Sequence, residues 1–153
     1  MDFTAQSELE TDFVGQKIFE SLPSQCVVAL VGTLGAGKTR LVQAIAKAAG
    51  IDPAGVSSPT YVLIHEYQGT VPIYHFDVYR LNGVEEFLQL GPEEYFERPG
   101  LTLVEWGDRV AAVLPRNHFT VRIEILGENS RKFLLAPESM NQFESFPHSL
   151  TKR

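Results

Sequence analysis

Apolar residues in this chain occur in two patterns, short unbroken runs and recurrences every three or four positions. Their alternation predicts strands interleaved with helices. Residues 1–10 are polar and read as loose. From Thr11 onward Phe13, Val14, Ile18 and Leu22 recur at helical spacing until Pro23 stops the pattern. Cys26-Val27-Val28-Ala29-Leu30-Val31 is a continuous apolar run ending at Gly32, as expected of a strand buried on both faces. After a glycine-rich turn, Leu41, Ile45 and Ala48 mark one face of a helix that Gly50 ends. Strand, turn and helix in that order make half of a βαβ unit.

The middle of the chain has a different texture. Residues 61–67 and 73–79 are rich in aromatic and β-branched side chains and flank Gly69-Thr70, which predicts a hairpin; Pro72 fits only a strand start or an edge. Asn82-Gly83 then breaks the chain. Residues 82–97 carry Glu85, Glu86, Glu93, Glu94 and Glu97 with no basic residue, and read as a short helix and a loop. Residues 101–104 form a second buried strand that ends in Glu105-Trp106. Residues 108–114 read as helical and stop at Pro115, and residues 119–126 and 132–135 read as two more strands joined by a polar turn. No repeat or linker interrupts this order. The expectation is one α/β domain over residues 1–136 and a flexible, polar tail over residues 137–153.

Composition narrows the class of function. With 13 Lys and Arg against 19 Asp and Glu, the net charge of −6 argues against a broad basic face that would bind nucleic acid unaided. No run of about 18 apolar residues predicts a membrane span. The single thiol, Cys26, has no partner for an internal disulfide and reads as a core residue; a cytoplasmic location is expected.

One segment carries specific chemistry. Gly32-Thr33-Leu34-Gly35-Ala36-Gly37-Lys38-Thr39 fits the phosphate-loop pattern G-x-x-x-x-G-K-[ST] without deviation. Glycines let the backbone curl so that successive N–H groups face phosphate oxygens, and the helix beginning near Lys38 aims its positive end at the same anion. Lys38 reaches the β- and γ-phosphates, and the Thr39 hydroxyl is a Mg²⁺ ligand.

Hydrolysis needs an acid near the metal and a group that positions water. Glu105 closes the second buried strand, where a Walker B-type acid would sit beside the phosphate loop. Asp77 is placed to position the attacking water or contact the metal shell, or else to pair with Arg80. Thr60, in Ser57-Ser58-Pro59-Thr60, either reaches the γ-phosphate from a switch-like segment or simply starts a strand. Trp106 either packs beside the nucleotide or fills the core. His65 and His75 occupy mirrored hairpin positions, which favours cross-strand packing over metal binding.

Gly32–Thr39, Ser58-Pro59-Thr60-Tyr61, Tyr74-His75-Phe76-Asp77-Val78-Tyr79-Arg80-Leu81 and Leu103-Val104-Glu105-Trp106, in that order and spacing, resemble the bacterial TsaE (YjeE) family, P-loop ATPases of tRNA threonylcarbamoyladenosine biosynthesis. The resemblance implies a small P-loop NTPase domain whose mixed sheet has a parallel core and an antiparallel hairpin, flanked by helices. It also implies ATP and Mg²⁺ as ligands. Expected partners are the TsaD and TsaB subunits, with tRNA reached only through that complex. Carried residue by residue, it makes Lys38, Asp77 and Glu105 catalytic, Thr39 and Glu105 the metal side, and Leu34, Gly35, Ala36, Gly37, Thr39, Arg40, Thr60 and Trp106 nucleotide-binding. Glu8, Thr11 and Gly15 resemble the part that borders the base, and Arg131 resembles an arginine that approaches the nucleotide. Thr33 stands where the family loop commonly has aspartate, and Arg40, where it has threonine, is expected to add a charge beside the phosphates.

Two other functions remain open at this level. A small-molecule kinase would use the same loop, but its lid usually carries several arginines where residues 82–97 are acidic. A nucleotide-gated interaction module with little turnover could dock a basic partner through those glutamates. A GTPase would need an Asn-Lys-x-Asp segment, which the chain lacks.

Overall fold

In the computed structural model, which describes residues 1–59 and 63–138, the elements in chain order are β1 (Asp2–Ala5), α1 (Glu8–Ser21), β2 (Gln25–Val31), α2 (Lys38–Ala48), β3 (Ile64–Tyr67), β4 (Ile73–Asp77), α3 (Val84–Leu88), α4 (Pro92–Phe96), β5 (Gly100–Glu105), β6 (Phe119–Ile125) and β7 (Arg131–Pro137). A 3-10 turn at Pro53–Gly55 follows α2, and a 3-10 segment at Gly107–Val113 follows β5. The seven strands form one sheet in the order β1-β7-β6-β2-β5-β4-β3. Strands β4, β5, β2 and β6 run parallel, and antiparallel pairs close both ends, β3 on β4 and then β7 and β1 outside β6. This is the mixed sheet with a parallel core and a hairpin that the sequence predicts.

The unbroken apolar run becomes the sheet's centre because each face of β2 is covered. Val28 and Leu30 pack with Ile18 of α1 and with Leu41 and Ile45 of α2. Val27, Ala29 and Val31 face Phe76, Phe87 and Val110 on the opposite side. Phe76 and Phe87 are fully buried and meet edge to face with ring centroids 5.7 Å apart. Helices α1 and α2 touch backbone to backbone at Gly15, where an added Cβ would lie 2.4 Å from the Ala44 Cβ.

Three expectations need correction. Residues 1–10 are ordered: β1 pairs with β7, Ala5 is buried, and α1 starts at Glu8. The start is set by a capping box: the Ser7 side chain accepts from the Glu10 N–H at 3.1 Å, and the Glu10 carboxylate accepts from the Gln6 N–H at 2.7 Å. The buried stripe of α1 is Thr11, Val14, Gly15 and Ile18, and Phe13 is 61% exposed. Residues 82–97 form two short helices separated by Gly91, whose φ of +69° favours glycine. The helix expected at residues 108–114 is present at Gly107–Val113, in 3-10 form. Val110 leaves helical dihedrals there, and Gly107 is pressed onto β2 so closely that an added Cβ would sit 2.5 Å from the Ala29 Cβ.

The acidic stretch is partly satisfied within the fold. Asn82 donates to Glu86, while Arg98, just beyond the stretch, pairs with Glu94 and Glu66. Among the described residues no helix is long and apolar enough to cross a membrane. Thr60 and residues 139–153 of the tail lie outside the described residues.

Candidate functional site

The parallel strands β4, β2 and β5 end at one edge of the sheet, and the loop from β2 to α2 crosses that edge. Gly35 and Gly37 hold φ of +81° and +104°, and nothing lies within 4 Å of where a Cβ would stand. Glycine here serves both conformation and openness: the loop is a bare backbone concavity. Helix α2 begins at Lys38 with Gly37 as its cap, so no side chain occupies its first N–H groups. Those donors face the same concavity, which suits an anion.

Lys38 is only 5% exposed. Its ammonium donates to the carbonyls of Gly32 at 2.8 Å and Thr33 at 3.0 Å and lies 3.8 Å from the centre of the Trp106 ring. Burial holds Lys38 below the usual lysine range, against the opposing pull of Glu105, Asp108 and Asp77. A buried cation at a glycine cradle has the chemistry of a phosphate site.

Two buried carboxylates face this cation from neighbouring strand ends, Asp77 on β4 and Glu105 on β5, opposite each other in register. The Thr39 hydroxyl lies 2.9 and 2.8 Å from the two Glu105 oxygens and donates its single proton there. Asp77 accepts from the Ser58 hydroxyl and, at 2.9 Å, from the Tyr79 N–H. The second contact is an Asx turn that aims the carboxylate into the cleft. The cleft measures about 440 Å³, with Lys38, Thr39, Asp77, Arg80, Glu105 and Trp106 on its walls. Hydroxyl, carboxylate and cradle together fit a phosphate chain, and Thr39 and Glu105 would hold a divalent cation beside it.

A second cleft of about 250 Å³ lies across the loop, bordered by Glu8, Thr11, Gly35, Arg40, Arg131 and Phe133. It gathers Glu8 and Thr11, two of the three residues that the resemblance assigns to the base side, whereas Gly15, the third, lies at the α1–α2 contact. Arg131 is tied to the loop itself, donating to the carbonyls of Ala36 at 3.0 Å and Gly35 at 3.3 Å, and to those of Gly127 and Ser130 in its own hairpin. Leu34 is 74% exposed on the first cleft, and Ala36 is buried beneath the loop. Arg40 borders both clefts and is also tied to α1. Its guanidinium reaches Asp12 at 2.8 Å and the Glu8 carbonyl at 2.8 Å, which spends it on the α1–α2 contact.

Trp106 sits on the cleft rim at φ +63°, stacked near Tyr79 at 4.9 Å, with Arg109 over both rings. The two hairpin histidines do face each other, ring centroids 6.5 Å apart. The sequence reading missed a second contact, however: His75 Nε2 lies 2.6 Å from Glu105 Oε2. It also passed over Ser58 as a partner of Asp77. The first contact follows from the β4–β5 register and the second from the path of the loop that leads from α2 toward β3, and spacing along the chain reveals neither. Cys26 is half-buried and its thiol is pushed up to about 12 by that burial, which makes it an inert core thiol.

Comparison with known proteins adds the lineage. The family model described as threonylcarbamoyl adenosine biosynthesis protein TsaE matches residues 5–133. The tRNA threonylcarbamoyladenosine biosynthesis protein TsaE of Treponema pallidum is 35% identical over 136 residues, spanning 89% of this chain and all of the relative. Its Synechocystis counterpart is 40% identical over 116 residues, 72% of each chain, and that of Bacillus subtilis 36% over 127 residues, 82% of this chain and 78% of the relative. The crystal structure of Bacillus subtilis YdiB superposes with a TM-score of 0.73 at 27% identity, covering 99% of this chain and 94% of that one. A family match across nearly the whole domain, with the phosphate loop, Asp77 and Glu105 drawn to one edge of its sheet, means that this chain belongs to the TsaE family.

Proposed function

We propose that this chain acts in tRNA threonylcarbamoyladenosine biosynthesis as the cytoplasmic subunit that binds ATP with Mg²⁺ and hydrolyses it, working with TsaD-like and TsaB-like partners. The observation that carries the reading is the meeting of Thr39 and Glu105 beside the buried Lys38, at the mouth of an open glycine cradle. Lys38 gives up its two loop carbonyls for the β- and γ-phosphates, gaining a charged partner that the carbonyls do not offer. Thr39 and Glu105 hold the magnesium, which, when bound, spreads the phosphate charge that builds as the bond to the leaving group breaks. Asp77, fixed by Ser58 and by the Tyr79 N–H, orients the attacking water. Arg131 keeps the loop carbonyls of Gly35 and Ala36 turned outward, so that N–H groups face the phosphates. Glu8 and Thr11 border the space on the base side.

The test is reconstitution with the two partner subunits, following ADP release and the modified nucleoside in tRNA. Lys38→Ala should lose nucleotide binding. Asp77→Asn should bind normally and hydrolyse about 10²- to 10⁴-fold more slowly. Wild-type protein that binds ATP yet releases no ADP with its partners present would overturn hydrolysis in favour of a nucleotide-gated docking module.

A further inference from the structure

His75 is fully buried, and its ring packs against the touching rings of His65 and Tyr67, with centroids 6.5 and 6.4 Å away. A carboxylate accepts and does not donate, so the hydrogen in the 2.6 Å contact with Glu105 Oε2 belongs to His75 Nε2. The other ring nitrogen, Nδ1, is buried and has no hydrogen-bond partner among the described residues. Buried polar atoms are nearly always paired, and an apolar side chain would fill this place without leaving one bare. The ring therefore meets Glu105 at the expense of its own second nitrogen.

Glu105 in turn receives the Thr39 hydroxyl on both oxygens. A carboxylate free to turn would lose that arrangement, because a single Thr39 proton cannot hold both oxygens at once. Three elements are thus joined in series: β4 through His75, β5 through Glu105, and the first turn of α2 through Thr39.

We infer that His75 is a positioning residue for the metal side of the site: its Nε2–H fixes the Glu105 carboxylate so that Thr39 directs its proton to Glu105 and its oxygen lone pairs to a divalent cation. The inference rests on the nucleotide reading above and adds to it a residue that touches neither nucleotide nor metal. Groups that orient metal ligands in this way typically change metal affinity about 10- to 100-fold when removed.

ADP titration by calorimetry, once in EDTA and once in Mg²⁺, isolates the effect because no turnover occurs. Three variants grade the donor. Glutamine carries an N–H at the reach of Nε2, asparagine falls short by one bond, and leucine offers none. His75→Gln should keep the magnesium-dependent gain in ADP affinity within about threefold, while His75→Asn and His75→Leu lose about 10-fold or more of it. Affinity in EDTA should stay within about twofold throughout, since His75 does not touch the cradle that binds metal-free phosphate. Should His75→Leu not fold, the glutamine and asparagine pair decides alone. An equal magnesium gain in all variants overturns the inference and leaves the nucleotide reading standing. So does a matching loss in EDTA, which marks His75 as packing only. Wild-type protein that shows no ADP binding, or no magnesium gain, overturns both.

Discussion

Replacing Gly15 by alanine sets two effects of opposite sign against each other. In an exposed helix interior the change stabilises by about 1 kcal/mol, because alanine has the better helix propensity. Here the new Cβ would lie 2.4 Å from the Ala44 Cβ, 2.7 Å from the Ala44 carbonyl carbon and 3.0 Å from the Ile45 nitrogen. Carbon atoms in contact prefer about 3.5–4.0 Å, so α1 and α2 must separate by roughly an ångström, and two of the three obstacles are backbone that cannot rotate away. Overpacking that shifts backbone costs about 1–3 kcal/mol. Sterics therefore win, with a net loss of up to about 2 kcal/mol. For a chain of this length that is a fall of up to about 8 °C in Tm. Thermal unfolding by circular dichroism reads it directly. A double-mutant cycle with Ala44→Gly localises it: removing the Ala44 methyl relieves the nearest clash and leaves the one at 2.7 Å, so the two changes should couple by at least about 0.5 kcal/mol without full recovery. A Tm that rises in Gly15→Ala would refute the close approach of the two helices.

Three further outcomes are expected. Burial raises the Asp12 carboxyl, but hydrogen bonds and charge from Arg40 and Lys47 outweigh it and hold the group below the usual carboxylate range. Such a depressed folded value contributes stability in full above the unfolded value of about 3.9 and loses it as pH falls through the folded one. Urea unfolding of Asp12→Asn should thus trail wild type by about 0.5–1 kcal/mol from pH 7 to 5, and the gap should close toward pH 3; a gap unchanged at pH 3 would rule out the pairing. Phe87→Ala empties a fully buried site against Phe76 and should cost about 3–5 kcal/mol by urea unfolding, whereas a loss below about 1 kcal/mol would show α3 undocked. Arg131→Met releases the Gly35 and Ala36 carbonyls and should weaken ADP binding about tenfold; unchanged affinity would confine Arg131 to its own hairpin.

Much of the parallel core is legible in the sequence because strands covered on both faces need unbroken apolar runs, and residues 26–31 and 101–104 supply them. Of the antiparallel outer strands, β3 and β7 are legible too, and β1 alone is not. β1 turns only Phe3 and Ala5 inward, too few to establish a period of two, although Ser7 and Glu10 already spell the capping box that starts α1. Phe13 misled for a simple reason: helical spacing marks a stripe, but the stripe that packs is chosen by the small residue Gly15, where α2 comes closest. Within the site, the phosphate loop is local and legible to the residue. The contacts His75–Glu105, Ser58–Asp77 and Arg131–Gly35 join positions 30, 19 and 96 apart, and only strand order, register and the path of the loops over the sheet edge bring them together.

The outer edge of the sheet has a consequence for how the chain is made. Phe3 lies opposite Phe133 and Ala5 opposite Arg131, so β1, the first strand of this sheet in chain order, finds its partner only after nearly every other element of the sheet has been translated. Such distant pairings slow folding, because a long loop must close before any contact rewards it. On the ribosome the phosphate loop and its covering helices emerge complete while β1 waits, and Arg131, which arrives with β7, is both the brace of that loop and the start of the strand β1 needs. Loop bracing and sheet closure thus become a single late event, and a nascent chain stalled before residue 131 would carry a phosphate loop still lacking the side chain that steadies it.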